Sequence, residues 1–129
     1  MKFLCLGYFD SEKMGARSEA ENDALMRECR PHIDALFKTG NVIIDAGLEL
    51  ESTCLRRVNG KVQVTKGPCT EGAQRIGSAL LIEARDIEDA IRIASLHPAT
   101  QVPAGEQLGW ATEIRPIHFF EMNAPKSVA

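Results

Sequence analysis

The sequence lacks two features that would point directly to a class of partner. Its 18 acidic and 15 basic residues nearly balance, at a formal net charge of −3, so it has no excess of positive charge like that of nucleic-acid-binding domains. The mostly apolar stretch at the N-terminus ends at Asp10, which makes it too short for a signal-peptide core or a bilayer span of roughly 20 residues. We therefore expect a cytoplasmic protein that binds neither nucleic acid nor membrane.

The cysteines lack the spacing of a metal site. Cys5, Cys29, Cys54 and Cys69 are scattered, with no C-x-x-C pair and no Cys/His pair at zinc-ligand spacing. We therefore predict no metal and no cofactor. In a reducing compartment we expect free thiols, with Cys5 and Cys29 buried on apolar faces.

What is present is enough for one hydrophobic core. The chain has 129 residues, of which 44% are hydrophobic and 26% charged, as is typical of a single globular domain. A domain of this size buries roughly two thirds of its unfolded surface and needs no disulfide or metal to fold. We assign residues 1–122 to this domain and residues 123–129 to a C-terminal tail.

Hydrophobic periodicity predicts alternating strands and helices. Residues 3–9 form a short apolar run that predicts a strand buried on both faces. A capping box beginning at Ser18 and an apolar stripe at helical spacing predict a helix that ends at Gly40, and Pro31 predicts a kink near residues 27–31. The later predicted elements are a strand at 42–50, a hairpin at 53–58 and 61–64 around Asn59-Gly60, a strand at 76–84, a helix at 86–97, a loop at 99–108 and a strand at 109–120.

This order of elements indicates an α+β fold, a ferredoxin-like split βαβ with an inserted β-hairpin. In such a fold both helices cover one face of the sheet. The other face would carry Ile43, Leu81 and one side of the first strand, which are all apolar. We therefore expect a homodimer in which two sheets close on each other as a dimeric α/β barrel.

Five segments carry a family resemblance. They are MKFLCLGYFD at 1–10, TKGPCTE at 65–71, IGSALLIEARD at 76–86, HP at 97–98 and EIRPI at 113–117. The chain resembles the YCII-related proteins of the DGPF subgroup, and the resemblance implies a ferredoxin-like fold and a dimeric α/β barrel. The D-G-P-F motif itself is Lys66-Gly67-Pro68-Cys69 here, so any chemistry that needs its Asp is lost.

Two histidines are candidate catalytic residues. The wider family is expected to use a His on the first helix together with an Asp; His32 matches that His, and Asp45 is the nearest acid on a following strand. His32 is equally well explained as a partly buried helix residue. His97 is predicted at a helix C-terminus, where the helix dipole favours the charged imidazole, and it serves either as a cap or as part of a cleft.

Strand alternation adds candidate ligand-binding residues. Glu113 and Arg115 lie two positions apart and so share a face of the last strand, opposite Trp110 and Ile114. If the apolar pair faces the helices, the charged pair faces the dimer cleft, where it binds a polar ligand or fixes the dimer by ion pairs. By the same logic the neighbouring candidates are Tyr8, Asp45, Glu49 and Glu83.

Lys66 is a candidate because its ammonium lies close in sequence to Cys69. A nearby positive charge lowers the pKa of a thiol and makes the thiol nucleophilic. No base partner is fixed by the sequence, and a turn residue is the plainer interpretation.

Three possibilities for the function remain open. The first is an enzyme for a polar or phenolic substrate, with His32 or His97 exchanging protons and Arg115 stabilising an anionic or phenolic oxygen. The resemblance supports this class, because one branch of the family is implicated in dechlorinating a hydroxylated aromatic. The alternative is a non-catalytic regulatory or ligand-binding module associated with a sigma factor, since genes for DGPF-type proteins often neighbour those of alternative sigma factors. A protein that kept the fold and lost the site is a third possibility.

Overall fold

A computed structural model describes residues 1–123, which form six strands and five helices. The strands are β1 (Lys2–Asp10), β2 (Val42–Gly47), β3 (Thr53–Val58), β4 (Lys61–Lys66), β5 (Gln74–Glu83) and β6 (Ala111–Pro116). The helices are α1 (Ser11–Gly15), α2 (Glu19–Phe37), α3 (Ile87–Ala94), α4 (Pro98–Gln101) and α5 (Ala104–Leu108). The predicted α+β class is confirmed, and residues 124–129 of the predicted tail lie outside the described range.

Four strands form one antiparallel sheet in the order β2-β5-β1-β6. Because side chains alternate along each strand, this sheet has two faces. We call the helix-covered face the inner face; it carries Phe3, Cys5, Leu80 and Ile82, which belong to the main core. We call the opposite face the outer face; it carries Leu4, Leu6, Ala79 and Leu81.

The helices bury the inner face. Leu36 of α2 and Ile93 of α3 are completely buried in the same core as the inner-face residues. A second cluster joins α2 to the segment after α3, through Leu25, Cys29, Val102 and Leu108. The predicted stripe of α2 is therefore confirmed at its buried positions, and the helix continues through Pro31.

A β-bulge moves one residue of β2 to the face opposite the predicted one. Strict alternation placed Val42 and Asp45 on opposite faces. In the sheet Val42 pairs with Ile82 and Asp45 pairs with Leu80, with a register shift between these pairs. Directly paired residues of antiparallel strands share a face, so both lie on the inner face. The prediction that Asp45 lies on the outer face is wrong.

The predicted loop at residues 99–108 is also wrong, because α4 and α5 occupy most of it. Pro98 starts α4, where its fixed φ favours the first helical turn. Gly109 ends α5 at φ 69, a left-handed conformation that glycine adopts without strain. The buried Val102 and Leu108 anchor the segment against α2.

The hairpin β3–β4 forms a separate two-stranded sheet, with Asn59 and Gly60 at positive φ in its turn, as predicted. Cys54 and Cys69 form a disulfide with a Cα–Cα distance of 5.1 Å, so the expectation of free thiols is wrong for this pair. The chain turns back after β4 and brings Cys69 alongside Cys54, a proximity that sequence spacing does not reveal. Cys5 and Cys29 are free and buried, as predicted.

Candidate functional site

A cleft of about 470 Å³ opens beside the inner face, between α2, the start of α4 and the ends of β2 and β5. This volume lies in the range of roughly 300 to 1,000 Å³ that is typical of small-molecule sites. Most of its wall is apolar, including Phe9, Met26, Cys29, Ile33, Leu50 and Trp110. Asp45, Ser78 and His97 contribute polar groups to the same wall. We refer to this cavity as the cleft.

His97 immediately precedes α4 and caps that helix. The backbone N–H of Ala99 donates to Nδ1 of His97 at 3.0 Å. The sequence predicted a charged His97 at the C-terminus of the preceding helix, but α3 already ends at Ala94. Burial lowers the pKa of His97, while the charge of Asp45 acts in the opposite direction. The expectation of a charged imidazole is therefore wrong, because burial disfavours the charged form.

Ser78 was missed by sequence reasoning. It lies on β5 and pairs with Gly7 of β1, and a Cβ at residue 7 would lie only 2.1 Å from Ser78 Oγ. Glycine at this position therefore leaves space for the hydroxyl beside the cleft. The available signal was the pair Gly7 and Gly77, because glycine inside a strand often marks a close approach.

A narrow recess adjoins the cleft behind His97. Its lining includes Cys5, Ser78, Leu80 and Thr112. Thr112 Oγ1 is buried there and has no hydrogen-bond partner among residues 1–123. Burial raises the pKa of the Cys5 thiol to about 11, so Cys5 is protonated at neutral pH and is not a nucleophile.

The predicted charged pair of the last strand lies on the outer face. Ile114 packs into the core, so Glu113 and Arg115 point to the other side, as the alternation predicted. The Tyr8 hydroxyl donates to Glu113 at 2.9 Å, and this hydrogen bond raises the pKa of Tyr8. Glu83, at one end of the sheet, binds the N-terminal amine at 3.0 Å and the ammonium of Lys2 at 3.3 Å.

The predicted site residues therefore do not form one site. His97 and Asp45 share the cleft, and Tyr8 also borders it. The Tyr8 hydroxyl, however, donates to Glu113 on the outer face, where Arg115 also lies. His32 is half-buried on α2 outside the cleft wall, and Lys66 is exposed at the end of β4. Arg115 was predicted to stabilise a ligand oxygen while His32 or His97 exchanges protons. It lies instead on the outer face of the sheet, away from the cleft that His97 lines.

Residues 1–123 offer neither a metal site nor a membrane-spanning helix. They contain no group of three or more His, Cys, Asp or Glu side chains arranged to hold a metal ion. None of their helices is both long enough and apolar enough to cross a membrane.

Comparison with known protein families identifies a relationship. The family model of the YCII-related domain matches residues 1–109, which include α2, the hairpin and nearly all of the cleft wall. No curated protein matches the chain. Because the match covers most of its length, the chain belongs to the YCII-related family.

Proposed function

We propose that the cleft binds a small, largely apolar molecule with a hydrogen-bonding oxygen, and that the protein is an enzyme in which His97 and Asp45 supply acid/base chemistry. The observation that carries this proposal is the meeting of two titratable side chains in a mostly apolar cavity. Acid/base catalysis needs such a pair, and perturbed histidines concentrate at functional sites.

The wall of the cleft supports the size and polarity of this ligand. Aromatic and aliphatic side chains such as Phe9, Ile33 and Trp110 bind an apolar ring or chain. The few polar groups, at Ser78 and His97, are suited to fixing the orientation of one oxygen. Arg115 was first predicted to stabilise the ligand oxygen, but it lies on the outer face. We therefore assign this role to Ser78 and His97.

Trp110 provides a direct test, because it is the only tryptophan of the chain and lines the cleft. We expect 4-ethylphenol to change the Trp110 fluorescence saturably in the wild-type protein. Leu50→Asp places a charge in the cleft wall and should weaken binding about tenfold or more. Leu55→Asp is the matched control, since Leu55 is similarly exposed but lies on the hairpin outside the cleft. No saturable response, or equal weakening in both variants, would exclude this cleft as the binding site.

We also propose a ferredoxin-like, dimeric arrangement and membership of the DGPF subgroup. The strand order β2-β5-β1-β6 supports the ferredoxin-like arrangement, and so does the packing of both α2 and α3 on the inner face. The apolar residues of the outer face support burial against a second copy. The subgroup motif is altered at both outer positions, and Cys69 of the altered motif is in the disulfide.

The regulatory alternative, association with a sigma factor, stays a prediction. It depends on gene neighbourhoods in the DGPF subgroup rather than on a surface of this chain. Recovery of a sigma factor in a pull-down with the purified protein as bait would favour it.

A further inference from the structure

The Ala99 amide determines which nitrogen of His97 carries the proton. A backbone N–H can only donate, and this one donates to Nδ1 at 3.0 Å. Nδ1 must therefore present its lone pair, and the proton of the neutral imidazole resides on Nε2. A charged imidazole would have to give up this hydrogen bond, because both of its nitrogens are donors.

Nε2 is the polar atom that His97 has left for the cleft. His97 lines both the cleft and the recess behind it, and its other nitrogen is engaged with α4. Within residues 1–123 neither a hydrogen bond nor an ion pair joins His97 to Asp45, although the charge of Asp45 acts on the imidazole. A ligand that contacts both side chains therefore breaks no hydrogen bond or ion pair between them.

We infer that His97 serves the cleft as a neutral hydrogen-bond donor through Nε2–H, and that the cleft selects ketones or aldehydes whose carbonyl oxygen accepts that bond. The base of the pair is then Asp45, because a protonated Nε2 has no lone pair with which to accept a proton. This inference rests on the proposed function of the cleft and narrows its substrate class to carbonyl compounds.

The chemistry that fits this division of roles is enolisation. The Asp45 carboxylate takes a proton from the carbon next to the carbonyl, so a C–H bond breaks and an O–H bond forms on Asp45. The electron pair moves into the new C=C bond and onto the carbonyl oxygen, where Nε2–H stabilises the developing negative charge. Return of the proton from Asp45 to a carbon of the substrate completes the reaction, and no oxidant, reductant or second substrate is needed.

Nitrogen-15 NMR of histidine-labelled protein tests the tautomer without any ligand. Long-range correlations to the ring protons distinguish a protonated from an unprotonated ring nitrogen, and His97→Asn assigns the signals. At pH 7 we expect neutral His97 with its proton on Nε2. A proton on Nδ1, or a charged imidazole at this pH, would overturn the inference whatever the cleft binds.

Two variants separate the cap from the donor. His97→Asn places an acceptor near Nδ1 and preserves the cap, since Asn is a favourable N-cap residue, but it offers no donor near Nε2. His97→Gln offers an amide N–H near Nε2 and loses the cap. The probes are acetophenone and α-methylstyrene, which have the same shape but differ in a carbonyl oxygen. Binding is followed by the indole N–H resonance of Trp110.

We expect the wild-type protein and His97→Gln to bind acetophenone about five- to tenfold more tightly than α-methylstyrene, as one hydrogen bond allows. His97→Asn should bind the two probes equally, while its melting temperature stays above that of His97→Gln. Retained preference for the ketone in His97→Asn would overturn the inference. Equal binding of both probes by the wild-type protein would overturn it while leaving the proposed cleft function intact, and no binding of either probe would overturn both.

Discussion

The inner and outer faces of the sheet belong to the same strands but differ in what their polar groups contact. On the inner side of the sheet, His97 and Asp45 line a cavity, and neither a hydrogen bond nor an ion pair joins them among residues 1–123. On the outer face, Tyr8 and Glu113 are hydrogen-bonded to each other beside a row of apolar side chains. Uncommitted polar groups in a cavity are suited to a ligand, whereas paired polar groups around an apolar surface are suited to an interface.

The largest expected effect compares neighbouring residues of β1. Phe3 is 1% exposed in the core of the inner face, so Phe3→Ala should lower the free energy of unfolding by about 3 to 5 kcal/mol. Leu4 is only half-buried on the outer face of the monomer, so Leu4→Ala should cost about 1 kcal/mol in a dilute sample. Urea denaturation at two protein concentrations measures both. A loss for Leu4→Ala that matches that of Phe3→Ala and does not depend on concentration would erase the distinction between the faces.

The next effect concerns association through the outer face. We expect the wild-type protein to sediment as a dimer of 14.2 kDa chains. Leu6→Asp should weaken the dimer about 100-fold or more, because it places an unpaired charge in an apolar interface. Ile91→Asp is the matched control on α3, where the residue is 49% exposed in the helical layer, and it should leave the dimer intact. Sedimentation of the wild-type protein as a monomer at micromolar concentration would contradict the dimer.

The sequence predicted the two faces well where the strands are regular. On β5 and β6 the alternation correctly separated Leu80 and Ile82 from Glu83, and Ile114 from Glu113. On β2 the alternation failed, because a bulge inserts one residue and no unusual residue type marks it. Since Asp45 follows this bulge, its location in the same cleft as His97 could not be predicted from the pattern.

Other parts of the candidate site depend on contacts between distant segments. The prediction that His97 is a cap was sound, but which helix it caps depends on Pro98 starting a new helix. The disulfide depends on the return of the chain after β4. The wider fold was predictable because hydrophobic periodicity and turn residues are local signals, whereas these contacts are not.

The pH dependence of stability tests the burial of His97 beside the inner face. The pKa of His97 is lowered by burial, so between neutral pH and the lowered value the unfolded chain binds more protons than the folded chain. Stability should therefore fall as the pH drops through about 6.5, the usual pKa of histidine. His97→Asn should show a smaller fall between pH 7 and pH 5 in urea titrations. An identical fall in both proteins would mean that folding does not lower the pKa of His97.

The smallest expected effect concerns the buried hydroxyl of Thr112 on the inner face. Thr112 Oγ1 has lost its contact with water and has no partner among residues 1–123. Thr112→Val replaces the hydroxyl by a methyl group of similar size, so it should raise the free energy of unfolding by up to about 1 kcal/mol. Thr112→Ser keeps the hydroxyl and removes the methyl group, so it should lower the same quantity. If Thr112→Val is instead destabilising, the hydroxyl has a partner in the recess, and the polar wall of the cleft then extends beyond His97 toward β6.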